Sequence, residues 1–483
     1  MSVKYAKLKK DWVLRGWTDA PMVVANLVNG DVRKLQQKSF YIADSCDGVT
    51  NFNSLAFISN HHDLLDLLIK EDIAEECQEG DSIQSYQLYR KANNPRITEI
   101  HWCVTGRCNL NCRHCYMQST SGRYGELPFT EMVRLIEQFE QANVLQVSLS
   151  GGEPFIRKDI IDIIELLANK KIWLSYIYSN GLLITEDHLK EIKRVGFAPN
   201  FQISFDGVGV HDQMRGVYGV ESGVIESIKR IRDVGFPLII ATSIDKTNIE
   251  RLAETYELLK ELGIQSWRIG TPRDAGNWRG ATTALQLDEQ AKACEQLLNR
   301  WLKDGKPFYI QLAGFYAGGP LLNEATSICD LGLATSAPTD SVCSESTGDY
   351  LPDTADFTPN CYDCIACREQ PNLLPDGTLV PCPGYVDIVE LETMPNLLRE
   401  GLSKAWSKSY LREIVDLKKK DLLTKNPECA ICELFKNCGM GCRALAFTET
   451  GDLMAKDPIS CELWKNGIKK RFEDLAMAET SRG

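Results

Sequence analysis

Cys108-Asn109-Leu110-Asn111-Cys112-Arg113-His114-Cys115 places three thiols at spacings of four and three. The octapeptide lies between the β-like run Ile97–Val104 and a polar loop. Three soft ligands on one short loop make a compact metal site. Cys thiolates are the usual protein ligands of a [4Fe–4S] cluster, and three of them leave its fourth iron open to a small molecule. Zinc is the plainer alternative, with His114 or His101 as the fourth ligand. The surrounding chain decides between them.

From Arg96 the chain repeats a strand, loop, helix rhythm. Apolar runs at Ile97–Val104, Leu145–Leu149, Ile172–Tyr178, Phe201–Phe205, Leu238–Ser243 and Ser266–Ile269 read as strands. Helical periodicity fills the gaps at Phe129–Gln141, Ile160–Ala168, Glu186–Val195, Gly223–Val234 and Ile249–Leu262. Repeated βα units predict an α/β fold, a partial (β/α)6 TIM-type barrel, with its chemistry at the C-terminal ends of the strands. The three-Cys loop follows the first strand. The second ends in Ser148-Leu149-Ser150-Gly151-Gly152-Glu153-Pro154, where two glycines let backbone approach a ligand and Glu153 adds a carboxylate.

These two motifs, in this order and in barrel context, resemble the radical S-adenosylmethionine (SAM) superfamily. The resemblance implies a SAM-binding [4Fe–4S] cluster on Cys108, Cys112 and Cys115, and a 5′-deoxyadenosyl radical that takes hydrogen from the substrate. It implies methionine contacts from Gly151, Gly152 and Glu153. Ser179 and Asn180, and Ser204 with Asp206, match polar ribose and methionine contacts. Arg215 matches the partner of the methionine carboxylate, and His114 and Tyr116 match adenine packing. The bland alternatives are strand-end turn residues for Ser204 and Asp206, and a surface cation for Arg215.

Most of the 18 cysteines crowd into residues 108–115, 361–367 and 429–442. Cys367-x9-Gly377-x4-Cys382, followed by Cys429-x2-Cys432-x5-Cys438-x3-Cys442 and Cys461, resembles the SPASM extension of the same superfamily. That resemblance implies two auxiliary [4Fe–4S] clusters. Cys367, Cys382 and Cys442 would hold the nearer one, and Cys429, Cys432, Cys438 and Cys461 the distal one. Cys361 is the expected fourth ligand of the nearer cluster, with Cys364, Cys343 or an open iron as competitors. A zinc ribbon is the alternative for the Cys429–Cys442 group.

Residues 1–95 read as a winged-helix-like domain. They carry β-prone runs at Trp12–Trp17 and Met22–Leu27, an Asn29-Gly30 hairpin turn, three short helices and a strand at Ser85–Tyr89. Without a basic recognition helix, peptide binding is the better reading than DNA. The full set resembles maturases of ribosomally made peptides, in which such a domain takes up the precursor's leader as an added strand; Phe40–Thr50 resembles its helix, and the Lys34–Gln37 edge would receive the leader. The expected domains are 1–95 for leader recognition, 96–282 for the barrel, 283–360 for a bridging helix and loop, and 361–483 for the SPASM region.

The expected reaction is an intramolecular crosslink, first a Cys thioether. Carbon–carbon crosslinking and epimerisation are alternatives, with Cys103, Cys294 and Cys329 unassigned as hydrogen donors. Formylglycine formation is disfavoured, because sulfatase maturases resembling this chain place an Asp where Pro383 stands. A non-catalytic Fe–S or zinc scaffold is the alternative from another class. Net charge −12 argues against nucleic acid, and no apolar run is long enough for a membrane span or a signal peptide. A reducing cytoplasm and an external flavodoxin- or ferredoxin-type electron donor are expected.

Overall fold

The computed structural model describes residues 3–318, 359–407 and 409–480, so Cys329 and Cys343 lie outside the described residues. The N-terminal part contains β1 (Ala6–Leu8), β2 (Trp12–Gly16), β3 (Val23–Asn26) and β4 (Val32–Lys34), then α1 (Gln37–Asp44), α2 (His61–Lys70), β5 (Ala74–Glu76) and β6 (Arg90–Lys91). β2, β3 and β4 form an antiparallel meander, β6 joins β2 in parallel, and β1 pairs with β5. The Asn29-Gly30 turn forms between β3 and β4, with Gly30 at φ +73° and the Asn26 side chain accepting from the Val28 and Asn29 amides. The strand expected at Ser85–Tyr89 is instead a short 3-10 turn, Ser85–Gln87. The buried Gln87 amide donates to the Lys9 and Trp12 carbonyls, and these polar ties hold the segment off the sheet until Arg90.

The barrel follows as β7 (Glu99–Cys103), α3 (Phe129–Gln141), β8 (Gln146–Ser150), α4 (Ile160–Asn169), β9 (Trp173–Ser179) and α5 (Glu186–Arg194). It continues through β10 (Asn200–Ser204), α6 (His211–Arg215), α7 (Val220–Val234), β11 (Leu238–Ser243), α8 (Leu252–Glu261), β12 (Ser266–Gly270), α9 (Leu287–Lys303) and β13 (Tyr309–Leu312). All six expected strands are present and run parallel, and β13 pairs parallel with β12 as a seventh. β14 (Tyr316–Gly318) closes that edge antiparallel. At the other edge β15 (Asn372–Leu373) runs parallel to β7, with β16 (Leu379–Val380) antiparallel beyond it. The cysteine-rich region therefore extends the barrel sheet rather than hanging from it.

Alternation explains which side faces what. Ile100, Trp102, Phe201, Ile203, Trp267 and Ile269 are buried against the helices. Their neighbours Glu99, His101, Gln202, Ser204 and Arg268 stand on the opposite, concave face, which they share with an aromatic cluster of Tyr176, Tyr178, Ile239 and Tyr309. Trp102 meets Phe139 of α3 edge-on, with centroids 5.2 Å apart. Phe139→Ala should cost about 3–5 kcal/mol of stability through the cavity it leaves, read as a lower urea midpoint.

Polar ties join the N-terminal part, the barrel and the cysteine-rich region. Trp17 Nε1 donates to the Ala142 carbonyl at 3.0 Å, and Arg368 reaches Asp19 at 2.9 Å. Arg96 and Glu369 form a buried ion pair, and Trp406 Nε1 donates to the Arg96 carbonyl. No helix among the described residues is long and apolar enough to cross a membrane.

Candidate active site

The cysteine loop leaves the C-terminal end of β7 and is held by barrel backbone on several sides. Gly152 N donates to the Thr105 carbonyl at 2.8 Å, and Glu153 N to the Arg107 carbonyl at 2.9 Å. A Cβ on Gly151 would stand 2.4 Å from the Thr105 oxygen, and one on Gly152 2.0 Å from the Arg107 oxygen. The close approach expected of the two glycines is therefore made to the loop that carries the thiols. Gly151 also sits at φ +133°, which other residues resist. Gly152→Ala should push the loop off β8 and lower the iron that the protein retains, measured as iron per chain with an unchanged circular dichroism spectrum.

The opposite side of the loop rests on the end of α6. Asn111 N and Arg113 N donate to the Arg215 and Met214 carbonyls at 3.1 and 3.0 Å. A third support, which the sequence reading missed, is the segment Thr271–Gly280 after β12. Asn277 N donates to the Cys115 carbonyl at 3.0 Å, and Asn277 Nδ2 to the Cys112 carbonyl at 3.1 Å. Gly276, at φ +57°, passes so close that a Cβ would lie 2.4 Å from the Cys115 oxygen. The only sequence signal was the glycine spacing of Gly276 and Gly280 in a polar run, which reads as an ordinary loop.

Glu153 is fully buried. Its Oε1 accepts from Ser179 Oγ at 2.8 Å and Phe155 N at 3.1 Å, and Oε2 accepts from Asn180 N at 2.8 Å. Burial nevertheless outweighs these bonds and lifts the carboxyl to about 7. Asn180 Nδ2 reaches back to Asn109 Oδ1 at 2.8 Å, so Glu153, Ser179 and Asn180 form one unit with the cysteine loop. His114 is enclosed; burial lowers its ring to about 4, and its Nδ1 has no hydrogen-bond partner among the described residues. Tyr116 packs against the barrel core. Ser204 stands half-buried on the concave side of β10.

Arg215 is buried rather than a surface cation. Its Nε pairs with Asp206 Oδ2 at 2.8 Å, and its Nη1 donates to Cys112 Sγ at 3.6 Å. Burial of Asp206 works against its charge, but Arg215 beside it holds the carboxyl below the usual range. The ion pair leaves the guanidinium facing the thiol loop.

Cys108, Cys112 and Cys115 face one another closely enough for their charges to interact, and burial pushes the Cys108 thiol up to about 12. Among the described residues no three His, Cys, Asp or Glu side chains converge as they would around a single metal ion. His101 does not join the thiols, because its ring meets Ser148 Oγ at 3.1 Å and the Tyr178 ring at 5.0 Å between centroids. A buried carboxylate raised by desolvation gains from a cationic ligand, and an unpartnered enclosed imidazole nitrogen gains from a hydrogen-bonding one. Both suit the ammonium and polar groups of SAM above a thiolate-held cluster.

The C-terminal thiols fall into two groups. Cys367 hydrogen-bonds both Cys364 and Cys382, and Cys442 lies within electrostatic reach of Cys364 and Cys382. Cys361, the expected fourth member, is disulfide-bonded, and Cys364 hydrogen-bonds Cys367. Two residues of sequence separate them, so spacing alone did not distinguish them. Cys429, Cys432, Cys438 and Cys461 line one pocket with Met440 and Trp464. Cys442 is not among its lining residues.

Comparison with known proteins agrees with this geometry. Residues 102–259 match the sequence model of the Radical SAM superfamily. The chain is 28% identical over 372 residues to AdoMet-dependent heme synthase of Methanosarcina barkeri, covering 76% of this chain and 96% of that protein. It is 26% identical over 390 residues to PqqA peptide cyclase of Bradyrhizobium diazoefficiens, covering 78% and 90%. Its fold is similar to that of Streptococcus suis SuiB bound to precursor peptide SuiA, with TM-score 0.65, 16% identity, and 94% and 99% of the two chains covered. It is also similar to anSMEcpe with bound AdoMet and a peptide, with TM-score 0.57, 18% identity and 80% of this chain covered. Residues 102–259 are thus a radical SAM domain, set in a fold shared with SuiB and anSMEcpe.

Proposed function

We propose that this enzyme matures a ribosomally made precursor peptide, taking a hydrogen from its core segment and installing an intramolecular crosslink, first of all a Cys thioether. The observation that carries this reading is the likeness in fold to the SuiB–SuiA complex over 94% of the chain, joined by sequence similarity to a PqqA peptide cyclase over 78% of it. The likeness to SuiB thus takes in more than the barrel and cysteine-rich region. The N-terminal sheet adds physical support, because among the described residues β4 pairs only with β3, which makes it the edge strand on which a leader strand would add.

In this reading Cys108, Cys112 and Cys115 hold the SAM-binding [4Fe–4S] cluster. Glu153 receives the methionine ammonium, and Gly151, Gly152, Ser179, Asn180, Ser204, Asp206, Arg215, His114 and Tyr116 shape the rest of the SAM pocket. Bound SAM and the reduced cluster supply the 5′-deoxyadenosyl radical. Cys364, Cys367, Cys382 and Cys442 would hold one auxiliary cluster, and Cys429, Cys432, Cys438 and Cys461 the other. A flavodoxin- or ferredoxin-type donor in the cytoplasm would supply electrons. A second reading, favoured by the heme synthase relatives, is radical chemistry on a non-peptide substrate.

The test is anaerobic co-incubation of reconstituted enzyme, SAM, dithionite and candidate precursor peptides. A thioether appears as loss of two hydrogens with one cysteine protected from alkylation. A two-hydrogen loss with every thiol still alkylatable would mean a carbon–carbon bond, and 5′-deoxyadenosine without any peptide change would favour the second reading.

A further inference from the structure

The concave face of the barrel holds an arginine, Arg268, with no counter-ion among the described residues. Arg268 lies on β12 between Trp267 and Ile269, which are buried against the helices, so its side chain stands on the hollow side, and it is exposed there. Its charge is felt by Tyr178 of β9, although β11 and β10 separate the two strands in the sheet. Tyr178 stands on the same hollow side of the sheet, beside Tyr176 and Ile239. Among the described residues no carboxylate, carbonyl or hydroxyl bonds to Arg268. The carboxylate on the same face, Glu99, is occupied by Ser175 Oγ at 2.8 Å and kept deep in the sheet, where burial favours its neutral form.

Two buried polar side chains flank this guanidinium and are also unpartnered among the described residues. Gln311 on β13 is in direct register with Arg268, is 4% exposed, and has no partner for its Oε1. Ser266, two residues earlier on the same face of β12, is 1% exposed with an unpartnered Oγ. An amide whose oxygen bonds to nothing is free to turn and present its N–H2, and a hydroxyl rotates to suit its neighbour. The site thus offers a guanidinium fork with an amide and a hydroxyl donor beside it. Buried donors of this kind are costly until an acceptor arrives. Arg268 is in register with Ala241, which is in register with Ser204 at the end of β10, so Arg268 and Gln311 lie at the level of the proposed SAM pocket, with Ser266 one step below.

We propose that Arg268, Gln311 and Ser266 form a carboxylate-binding subsite in the barrel hollow that anchors an acidic group of the substrate beside the reacting position. The proposal rests on the reading of this barrel as a SAM-dependent catalyst and adds the chemistry of what enters it. A planar carboxylate matches the guanidinium fork with two parallel charge-assisted bonds. Its source is either an Asp or Glu side chain of a peptide or the acid group of a carboxylated small molecule.

The experiment uses the full-length, reconstituted, SAM-loaded protein. N-acetyl-glutamate N-methylamide and its glutamine counterpart are compared by saturation-transfer NMR, and coproporphyrin III is titrated by fluorescence. The acidic probe should bind about 10-fold better than the amide, the range of a charge-assisted pair. Arg268→Gln should abolish that preference, Arg268→Lys should keep part of it, and Gln311→Met should weaken it several-fold. If coproporphyrin III is the ligand that depends on Arg268 and the amino-acid pair is not discriminated, the subsite stands and its source is the small molecule. If neither acid binds in an Arg268-dependent way, the proposal is overturned; iron content and thermal midpoint identify a misfolded variant, for which the Gln311→Met arm decides. Release of 5′-deoxyadenosine by the wild type from SAM and dithionite tests the catalytic reading separately.

Discussion

Glu153→Gln is expected to weaken SAM binding by about 2–4 kcal/mol, on the order of 30- to 1,000-fold, because it removes one charge of a buried, hydrogen-bonded pair. Equilibrium dialysis with SAM would show the change directly, and 5′-deoxyadenosine formation should fall with it. The fold should survive. Burial raises the Glu153 carboxyl from 4.5 to about 7. The folded state therefore binds more protons than the unfolded one between those values, and wild-type stability without SAM falls as pH rises through that window. The loss amounts to about 3 kcal/mol, complete above the folded value. Gln does not ionise and escapes that loss. It instead turns an N–H toward the Asn180 or Phe155 amide, at a cost of about 1–3 kcal/mol. The two effects nearly cancel above neutral pH, so unchanged thermal stability with lost SAM affinity is the expected result. Retained affinity would remove Glu153 from the SAM pocket.

The second large effect distinguishes two cysteines three positions apart. Cys364→Ala should reduce iron from about 12 to about 8 per chain, whereas Cys361→Ala should leave it near 12. The placement of Cys364 against Cys367 and Cys382, and the disulfide at Cys361, give opposite expectations for the two variants. Anaerobic iron and sulfide determination after reconstitution reads both. Equal losses would return Cys361 to the ligand set. Iron near 4 per chain in the wild type, with zinc making up the remainder, would make the C-terminal region a structural module.

What was legible in the sequence was local. Cys108–Cys115 and Ser148–Pro154 are contiguous motifs, and the six long βα repeats each carry enough alternation to be seen. β4, β13 and β15 have three, four and two residues, too few to establish a period. The Arg215–Asp206 pair joins α6 to the end of β10, and Asn277 meets the thiol loop from the far side of the barrel. Neither pairing has a sequence spacing. The Gly151-Gly152 pair was found for its flexibility, but which backbone approached it depended on the three-dimensional path of residues 105–107. Arg268 is hidden in the short run Ser-Trp-Arg-Ile-Gly, where it reads as the polar phase of a strand.

The supports of the thiol loop also set an order of assembly. Gly152 and Glu153 follow β8, Met214 and Arg215 end α6, and Asn277 follows β12, so the loop acquires its shape only when distant parts of the chain have already met. Iron would then be loaded into a finished mould, late in the life of the protein. The Cys429–Cys461 group sits among short helices, so metal there would act as a fastener during folding. A chelator added during refolding should therefore spare the barrel while leaving the cysteine-rich end unformed, and hydrogen exchange along the chain would separate the two.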